Sequence, residues 1–388
     1  MRIIAHLDLD AFFCAVEELH TPSLRGKPFA VGGSPEGRGV VASCSYPARM
    51  QGVHSAMPMA QAIRLCPNLQ IVSHNFGAYG EASRQVMAKI HAVSDLVEQI
   101  SIDEAFFDLS GKSDAERIAR DLQLDIYQSL HLPSSIGIAA NKLVAKIAND
   151  FGKSQKRDGT PPRAFTLIPA GEEAAFLAPL SVTKLWGVGP KTAERLAALG
   201  ITTIGDLAKQ DELNMLQRFG QNGYEITRRA RGIDTRPIVT ERETKSISQE
   251  TTFSKDIHDK RELQRVLRKL SIKVCERLQK SGLVARTVKI KLRWSDFTTL
   301  TRQVTLQAHT DESQVFISAA EKLFNENWQG RPLRLIGMGV SGLEPAKQQI
   351  GLWDQDWEKE RHVEDALAEI HARFGDEAIK RGMSKKST

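Results

Sequence analysis

The chain has 388 residues, 41% of them hydrophobic and 26% charged, and a formal net charge of +6. This composition is typical of a globular protein of two to four domains and excludes the disordered and fibrous classes. No stretch approaches the ~20 consecutive apolar residues of a membrane helix, and the N-terminus shows no signal sequence, so we expect a cytoplasmic protein without a membrane partner. The four cysteines are scattered without a C-x-x-C pair, which predicts buried thiols rather than a zinc site or disulfides.

The positive charge is concentrated in one segment. Residues 237–345 hold 19 Lys and Arg against 13 Asp and Glu, whereas residues 1–236 hold 26 against 25 and residues 346–388 hold 8 against 9. A basic segment attached to a neutral one is typical of a nucleic-acid-binding protein, although a solvated surface gives the same count.

The first 155 residues alternate strand and helix patterns. In chain order, the sequence predicts strands at 2–10, 29–33, 39–45, 98–109 and 134–139, and helices at 10–20, 56–65, 76–95, 113–130 and 141–153. A β-α-β order with interleaved helices indicates an α+β fold in which helices cover one face of a sheet.

Acidic residues stand in two of these apolar strand patterns. Asp8 and Asp10 end the first, "RIIAHLDLD", and Asp103 and Glu104 lie within "EQISIDEAFFDL". If the two strands are neighbours, three carboxylates meet at one point, where their repulsion is costly unless cations lie between them. Carboxylates are the ligands that Mg²⁺ prefers, and two such ions stabilise the attacking and leaving oxygens of nucleotidyl transfer. The alternative is that these acids cap turns or pair with lysines.

Further residues suit a triphosphate. Tyr46 and Arg49 are expected in a turn after a strand, and Lys153 closes the helix at 141–153, so that the three together can bind phosphates. Phe12 reads as a core residue, whereas Phe13 lies on the other face and can meet the sugar of a nucleotide.

Two later segments have the patterns of DNA-binding elements. "LWGVGPKTAERL" carries Gly187 and Gly189 in a tight turn before a helix that contains Lys191, a helix-hairpin-helix pattern whose backbone N–H groups can meet a phosphate. A merely structural helical hairpin is the alternative. "TVKIKLRWSDF" alternates an apolar face with a basic row, which predicts a strand that offers Lys289, Lys291 and Arg293 to a phosphate backbone.

The sequence resembles the Y-family (translesion) DNA polymerases, most closely their bacterial DNA polymerase IV branch. The resemblance covers residues 2–345 and is carried, in order, by "HLDLDAFFCAVE", "GRGVVASCSYPARMQGVHSAMP", "SIDEAFFDLSG", "GIAANKLVAKIANDFGK" and "LWGVGPKTAERL". It implies a multidomain right-hand polymerase. The palm, ferredoxin-like, is residues 1–10 and 74–168, the fingers 11–73, the helical thumb 169–236, the linker 237–245, the α+β little finger 246–345 and the tail 346–388.

The resemblance also implies roles for residues. Asp8, Asp103 and Glu104 match the catalytic, metal-binding acids, with the carbonyl of Leu9 as a further ligand for two Mg²⁺ ions, which Mn²⁺ can replace. Phe13 matches the steric gate that excludes the ribose 2′-OH. Contacts to the deoxynucleoside triphosphate are expected from Phe12, Tyr46, Arg49 and Lys153. The expected partner is primer-template DNA, copied by a monomer at low fidelity and without proofreading.

The tail contains "QIGLW", residues 349–353, which is similar to the peptide by which bacterial polymerases hold the sliding clamp. In this interpretation Gln349, Leu352 and Trp353 bind the clamp, whereas an apolar linker is the alternative. Two other functions remain open for the whole chain. One is a non-catalytic DNA-binding repair scaffold, and the other is a two-metal nuclease.

Overall fold

The computed structural model describes residues 2–156 and 158–346 of the chain, so the proposed clamp peptide at 349–353 lies outside the described residues. The strands are β1 (Ile4–Leu9), β2 (Phe29–Gly32), β3 (Val41–Cys44), β4 (Gln70–Val72), β5 (Val97–Gln99), β6 (Glu104–Asp108), β7 (Ser134–Ala139), β8 (Phe165–Leu167), β9 (Ser246–Ile257), β10 (Leu283–Trp294), β11 (Thr299–Thr310) and β12 (Leu333–Pro345). The helices are α1 (Phe12–His20), α2 (Tyr46–Met50), α3 (Met59–Leu65), α4 (Phe76–Val93), α5 (Ala115–Leu130), α6 (Lys142–Gln155), α7 (Glu173–Leu177), α8 (Pro190–Ala197), α9 (Ile204–Ala208), α10 (Glu212–Phe219), α11 (Gln221–Ala230), α12 (Lys260–Lys280) and α13 (Ser313–Asn327).

The first sheet has five strands in the order β5-β6-β1-β7-β8. β1 is central and antiparallel to both neighbours. The side chains on its two faces belong to two different hydrophobic cores. Ala5, Leu7 and Leu9 pack with residues of α1, α4 and α5. Ile4 packs on the opposite face with α6. Because side chains alternate along a strand, His6 and Asp8 share the face of Ile4 and α6.

One predicted strand is wrong. The sequence indicates a single strand at 98–109, whereas the structure has two, β5 and β6, joined by a tight turn. The backbone N–H of Ile100 donates to the carbonyl of Glu104 at 3.0 Å. The Ser101 hydroxyl accepts from the N–H groups of Asp103 and Glu104 at 3.2 and 3.1 Å. Asp103 therefore lies in this turn and Glu104 begins β6.

A small sheet with the order β3-β2-β4 packs on α2 and α3 around its own apolar core. All four cysteines, Cys14, Cys44, Cys66 and Cys275, are buried and free, which confirms the prediction of core thiols.

Helices α7 to α11 form a bundle after the first sheet, and it contains the predicted hairpin turn. Gly187 has φ +105°, which favours glycine, and Gly189 is the N-cap of α8, with Pro190 in the first turn. In the described residues, no helix is long and apolar enough to cross a membrane.

The last sheet has four antiparallel strands in the order β11-β10-β12-β9, with α12 and α13 packed on it around a separate core. The predicted alternation of β10 is confirmed. Val288, Ile290 and Leu292 are fully buried. Lys289, Lys291 and Arg293 are half-buried on the other face.

Two sets of contacts tie this last sheet and its connecting segment to the rest of the chain. Arg38, in the loop before β3, donates to the Phe253 carbonyl at 3.1 Å and to Asp256 at 2.5 Å, both in β9. Buried Glu98 of β5 accepts from Lys142 at 2.6 Å, from Arg242 at 2.7 Å and from the N–H of Val239 at 3.0 Å. The segment before β9 is therefore held against the first sheet.

Candidate active site

The three predicted acids lie at one end of the central strand pair. Asp8 of β1 stands directly opposite Glu104 of β6 in the antiparallel register. The Leu9 N–H donates to the carbonyl of Asp103 at 3.0 Å, which fixes the turn against the end of β1. Like charges directly opposite one another destabilise a sheet, so this arrangement requires compensating groups.

The carboxylate of Asp103 accepts a hydrogen bond from the Ser101 hydroxyl of its own turn. Burial, followed by the nearby charges of Asp8 and Glu104, raises the pKa of Asp103 above its ordinary value. Its ionised form is therefore disfavoured where it stands.

Glu104 is in the opposite electrostatic situation. Its Oε2 atom lies 3.2 Å from Nε2 of His6 and 2.5 Å from Nζ of Lys146. These two contacts, that of His6 first, lower the pKa of Glu104 from 4.5 to about 2 despite partial burial. His6 is fully buried, and burial lowers its pKa below the ordinary value, so the ring is a neutral donor.

Asp8 is compensated by Lys153 of α6, whose Nζ forms an ion pair with it and lies 3.4 Å from Asp10. Burial alone would lower the pKa of Lys153, but the carboxylates of Asp8 and Asp10 raise it above its usual value. Asp10 is itself buried and accepts from the Ser135 hydroxyl at 2.9 Å and from the Arg163 N–H at 2.9 Å. Asp10 therefore holds the end of β1, β7 and the approach to β8 together.

Tyr46 and Arg49 face this site from α2 rather than from the predicted turn. The Arg49 guanidinium lies 4.7 Å from the ring centroid of Tyr46, and its Nε donates to the Cys44 carbonyl at 3.2 Å. Burial, followed by the negative charge of Asp10, raises the pKa of Tyr46, so its hydroxyl remains a neutral donor.

Phe12 and Phe13 begin α1, directly after β1. Phe12 is buried, as predicted, and Phe13 is partly exposed. The ring of Phe13 stacks on Tyr79 of α4 with centroids 4.4 Å apart and planes 18° apart. The Tyr79 hydroxyl in turn donates to buried Glu17 at 2.5 Å. Phe13 therefore rests on a fixed aromatic surface.

These elements line a half-open cavity of about 240 Å³ between the first sheet and the small sheet. Its lining is Asp8, Leu9, Ala11, Phe12, Phe13, Ala42, Ser43, Tyr46, Arg49, Ser55, Asp103 and Lys153. The cavity thus brings together the predicted acids, aromatic residues and cations, apart from Glu104.

The donor chemistry fits a hard divalent cation, because Asp8, Asp103 and Glu104 offer only carboxylate oxygens. As they stand, however, no three His, Cys, Asp or Glu side chains of residues 2–156 and 158–346 are grouped as a metal site. In this arrangement Lys153 forms an ion pair with Asp8, and Lys146 forms one with Glu104. The metal role of these acids stays a prediction.

The predicted DNA-contacting residues lie away from this cavity. Lys191 is exposed in the first turn of α8, beside Gly187 and Gly189. Within the basic row of β10, Lys291 forms an ion pair with Glu250 at 2.8 Å, and Arg293 donates to Thr299 at 2.8 Å.

Several residues of the site were not predicted from the sequence. Lys146 and Asn149 stand seven and four residues before Lys153, so helical spacing places all three on one side of α6. His6 stands two residues before Asp8, on the same face of β1. This periodicity is the signal that could have found them.

Profiles of one family match three parts of the chain. The impB/mucB/samB family matches residues 7–150, the helix-hairpin-helix motif of the same family matches 170–201, and the impB/mucB/samB C-terminal domain matches 244–352. The chain is 42% identical over 349 residues to a DNA polymerase IV of Listeria monocytogenes serotype 4a (strain HCC23), covering 89% of this chain and 96% of the relative. It is 38% identical over 395 residues to DNA polymerase IV 1 of Bacillus subtilis (strain 168), covering 99% and 94%.

Solved structures are similar in fold. A Y-family DNA polymerase chimera, Dbh-Dpo4(243-245)-Dbh, gives a TM-score of 0.77 at 24% identity, covering 88% of this chain and 98% of that one. An insertion ternary complex of Dbh DNA polymerase gives 0.62 at 24% identity, covering 87% and 98%.

Proposed function

Because the chain belongs to the impB/mucB/samB family, together with bacterial DNA polymerases IV, we propose that it is a template-directed DNA polymerase of the translesion type. It adds deoxynucleotides to a primer 3′ end at low fidelity and without proofreading. The observation that carries this proposal is the shared cavity, where Asp8 and Asp103 face the cations of Arg49 and Lys153. Acids and phosphate-binding cations around one cavity suit nucleotidyl transfer.

We infer that Asp8, Asp103, Glu104 and the Leu9 carbonyl would hold two Mg²⁺ ions, which Mn²⁺ could replace. When bound, such ions stabilise the attacking and leaving oxygens of an in-line displacement. Lys153 and Lys146 place compensating positive charge beside Asp8 and Glu104. Lys153 lies beside the acids and would neutralise charge on the departing pyrophosphate together with Arg49. Tyr46 remains a neutral hydrogen-bond donor to the same triphosphate.

Phe13 is proposed as the gate that excludes ribonucleotides, with Phe12 supporting it from the core. Its stacking on Tyr79, and the anchoring of Tyr79 by Glu17, favour a gate that cannot retreat when a 2′-OH approaches. A fixed ring discriminates better than a mobile one, because the clash cannot be relieved by a rotamer change.

Primer-template DNA is proposed to contact two elements outside the cavity. The hairpin of Gly187 and Gly189 presents the uncapped N–H groups of α8 beside Lys191, an arrangement suited to a phosphate. Lys289, Lys291 and Arg293 offer a row of cations along β10. We also propose the domain boundaries, the monomeric state and the cytoplasmic location that are predicted from the sequence.

The sliding clamp is proposed as a further partner through Gln349, Leu352 and Trp353. This proposal rests on the sequence of the peptide and on its place just after β12. Apolar anchors usually dominate such short interfaces, which assigns most of the affinity to Leu352 and Trp353.

Primer extension with single deoxynucleotides tests the proposal against its rivals. A polymerase lengthens the primer by the nucleotide complementary to the template, a scaffold binds DNA without changing it, and a nuclease shortens a strand. Asp103→Ala is the matched control, and it should abolish extension while DNA affinity stays within about twofold. Extension by that variant within tenfold of the wild type would contradict the assigned role of the acids.

A further inference from the structure

A fully buried histidine lies behind the catalytic carboxylate. His6 of β1 is surrounded by the sheet, α6 and the ring of Phe106, whose centroid is 4.7 Å away. Its two ring nitrogens have different neighbours. Nε2 lies 3.2 Å from Oε2 of Glu104, and Nδ1 lies 3.0 Å from Nδ2 of Asn149.

The surroundings of Asn149 determine which nitrogen of His6 carries the proton. The same Nδ2 atom lies 3.1 Å from the carbonyl of His6 and 3.1 Å from that of Ser135. Carbonyl oxygens only accept, so the group that faces them must be the NH₂ of the amide. This orientation leaves Oδ1 of Asn149 buried without a hydrogen-bond partner in the described part of the chain. A flipped amide would instead set its oxygen against two carbonyls.

Because the amide NH₂ faces Nδ1, that nitrogen must present a lone pair. A proton on Nδ1 would set two donors against each other in a dry interior, which is costly. The proton of the neutral ring therefore sits on Nε2, which donates to Glu104. Asn149 is rigidly placed, since it lies within α6 and is itself fully buried.

The donors around Glu104 also select one of its oxygens. Both His6 and Lys146 reach Oε2, and among the described residues no hydrogen bond goes to Oε1. We propose that His6 is a positioning residue, locked by Asn149 in its Nε2-protonated form, which together with Lys146 holds Glu104 by Oε2 and leaves Oε1 for the reacting centre. This inference rests on the proposed polymerase function.

Lys146 and His6 contribute differently to the position of Glu104. Lys146 supplies charge from a flexible side chain that is 22% exposed. His6 supplies direction, because its ring is packed on all sides and donates along a fixed line. Such outer partners of metal-binding groups typically change metal affinity or activity by about 10–100-fold when removed.

The first test uses no activity measurement. In protein labelled with ¹⁵N-histidine, the His6 ring should show a protonated Nε2 and an unprotonated Nδ1 without added metal. Asn149→Ala should release this preference and populate the other tautomer. A wild-type ring protonated on Nδ1, or a tautomer indifferent to Asn149→Ala, would overturn the inference.

The second test compares three substitutions in the full chain. His6→Phe keeps a buried ring but removes the donor, and it should lower kcat about 10–100-fold and raise the Mn²⁺ concentration for half-maximal binding, measured by electron paramagnetic resonance. KM for the nucleotide should stay within about twofold, because His6 does not line the cavity and makes none of the proposed triphosphate contacts. His6→Gln restores a donor and should recover most of kcat. Phe106→Leu disturbs the same packing without removing a hydrogen bond, and it should retain the wild-type metal affinity.

Equal losses in His6→Phe and Phe106→Leu, or unchanged kcat and metal affinity in a folded His6→Phe variant, would refute the positioning role. Failure of the polymerase assignment looks different, since the wild type itself would then not extend a primer, while the tautomer measurement would still report on His6.

Discussion

Asp103 and Glu104 are adjacent acids, and removing the charge of one or the other should change the stability of the fold in opposite directions. The pKa of Glu104 is lowered, so its ionised form stabilises the fold, and Glu104→Gln should destabilise it at pH 7. The pKa of Asp103 is raised, so its ionised form opposes folding, and Asp103→Asn should stabilise it. Both substitutions keep the size of the side chain and both should abolish primer extension. The two substitutions would thus change stability in opposite directions, although both abolish activity.

The magnitude for Glu104 follows from its pKa. A fall from 4.5 to about 2 corresponds to ~3.4 kcal/mol at about 1.36 kcal/mol per pH unit. The side chain keeps 19% exposure, and solvent screening reduces the expected loss in Glu104→Gln to ~1–2 kcal/mol. Because the pKa is lower in the folded state, this stabilisation is complete above about pH 4.5 and is lost as the pH falls through about 2.

Hydrogen exchange of the β1 and β6 amides is the appropriate assay, because a multidomain chain has no single free energy of unfolding. A loss of ~1–2 kcal/mol should lower protection in Glu104→Gln about 5–30-fold, and protection should rise in Asp103→Asn. The buffer must contain a chelator, since a bound cation would favour both charges. A change in amide protection of the same sign in the two variants, or no loss of protection in Glu104→Gln, would refute the electrostatic reasoning.

Three further outcomes are expected. Phe13→Val should admit ribonucleotides, because the smaller side chain leaves room for the 2′-OH, and unchanged discrimination in single-nucleotide insertion would remove Phe13 from the gate. Replacing the β10 row Lys289, Lys291 and Arg293 by alanine should weaken duplex binding equally for any sequence and flatten the plot of log K against log salt by up to ~0.9 for each phosphate that is no longer neutralised; an unchanged slope would mean that the row does not contact DNA. The double change Leu352→Ala and Trp353→Ala should abolish stimulation by a loaded clamp while activity on bare primer-template persists, and a parallel loss of both would contradict a clamp-binding role.

The sequence predicted the elements whose periodicity is strong. β10 reads directly as a strand with one apolar and one basic face, and the α+β class follows from the alternation of strands and helices. The proximity of Asp8 to Glu104 also follows, once β1 and β6 are taken as neighbours. These features depend on local patterns and on one long-range pairing, which is why they could be obtained without a structure.

The parts that could not be predicted depend on single side chains acting at a distance. The break between β5 and β6 is caused by the Ser101 hydroxyl, which binds two backbone N–H groups that a continuous strand would have used otherwise. The contact between Asn149 and His6 joins residues 143 positions apart, and the periodicity that places each residue on one face of its own element does not pair the two. The ion pairs of Lys146 with Glu104 and of Lys153 with Asp8 could likewise not be predicted. A lysine side chain can reach several partners from one helical position.

The contact of Arg38 with β9 connects the loop before β3 to the last sheet by side-chain interactions. The last sheet is also connected to the first sheet by the covalent chain, through the segment that Glu98 holds. The ion pair of Arg38 and Asp256 is only partly buried, with 23% and 21% of the two side chains exposed. Ion pairs near the surface contribute ~0.2–1 kcal/mol, so breaking this contact would cost little. The position of the last sheet relative to the small sheet would then depend on a residue that does not line the cavity.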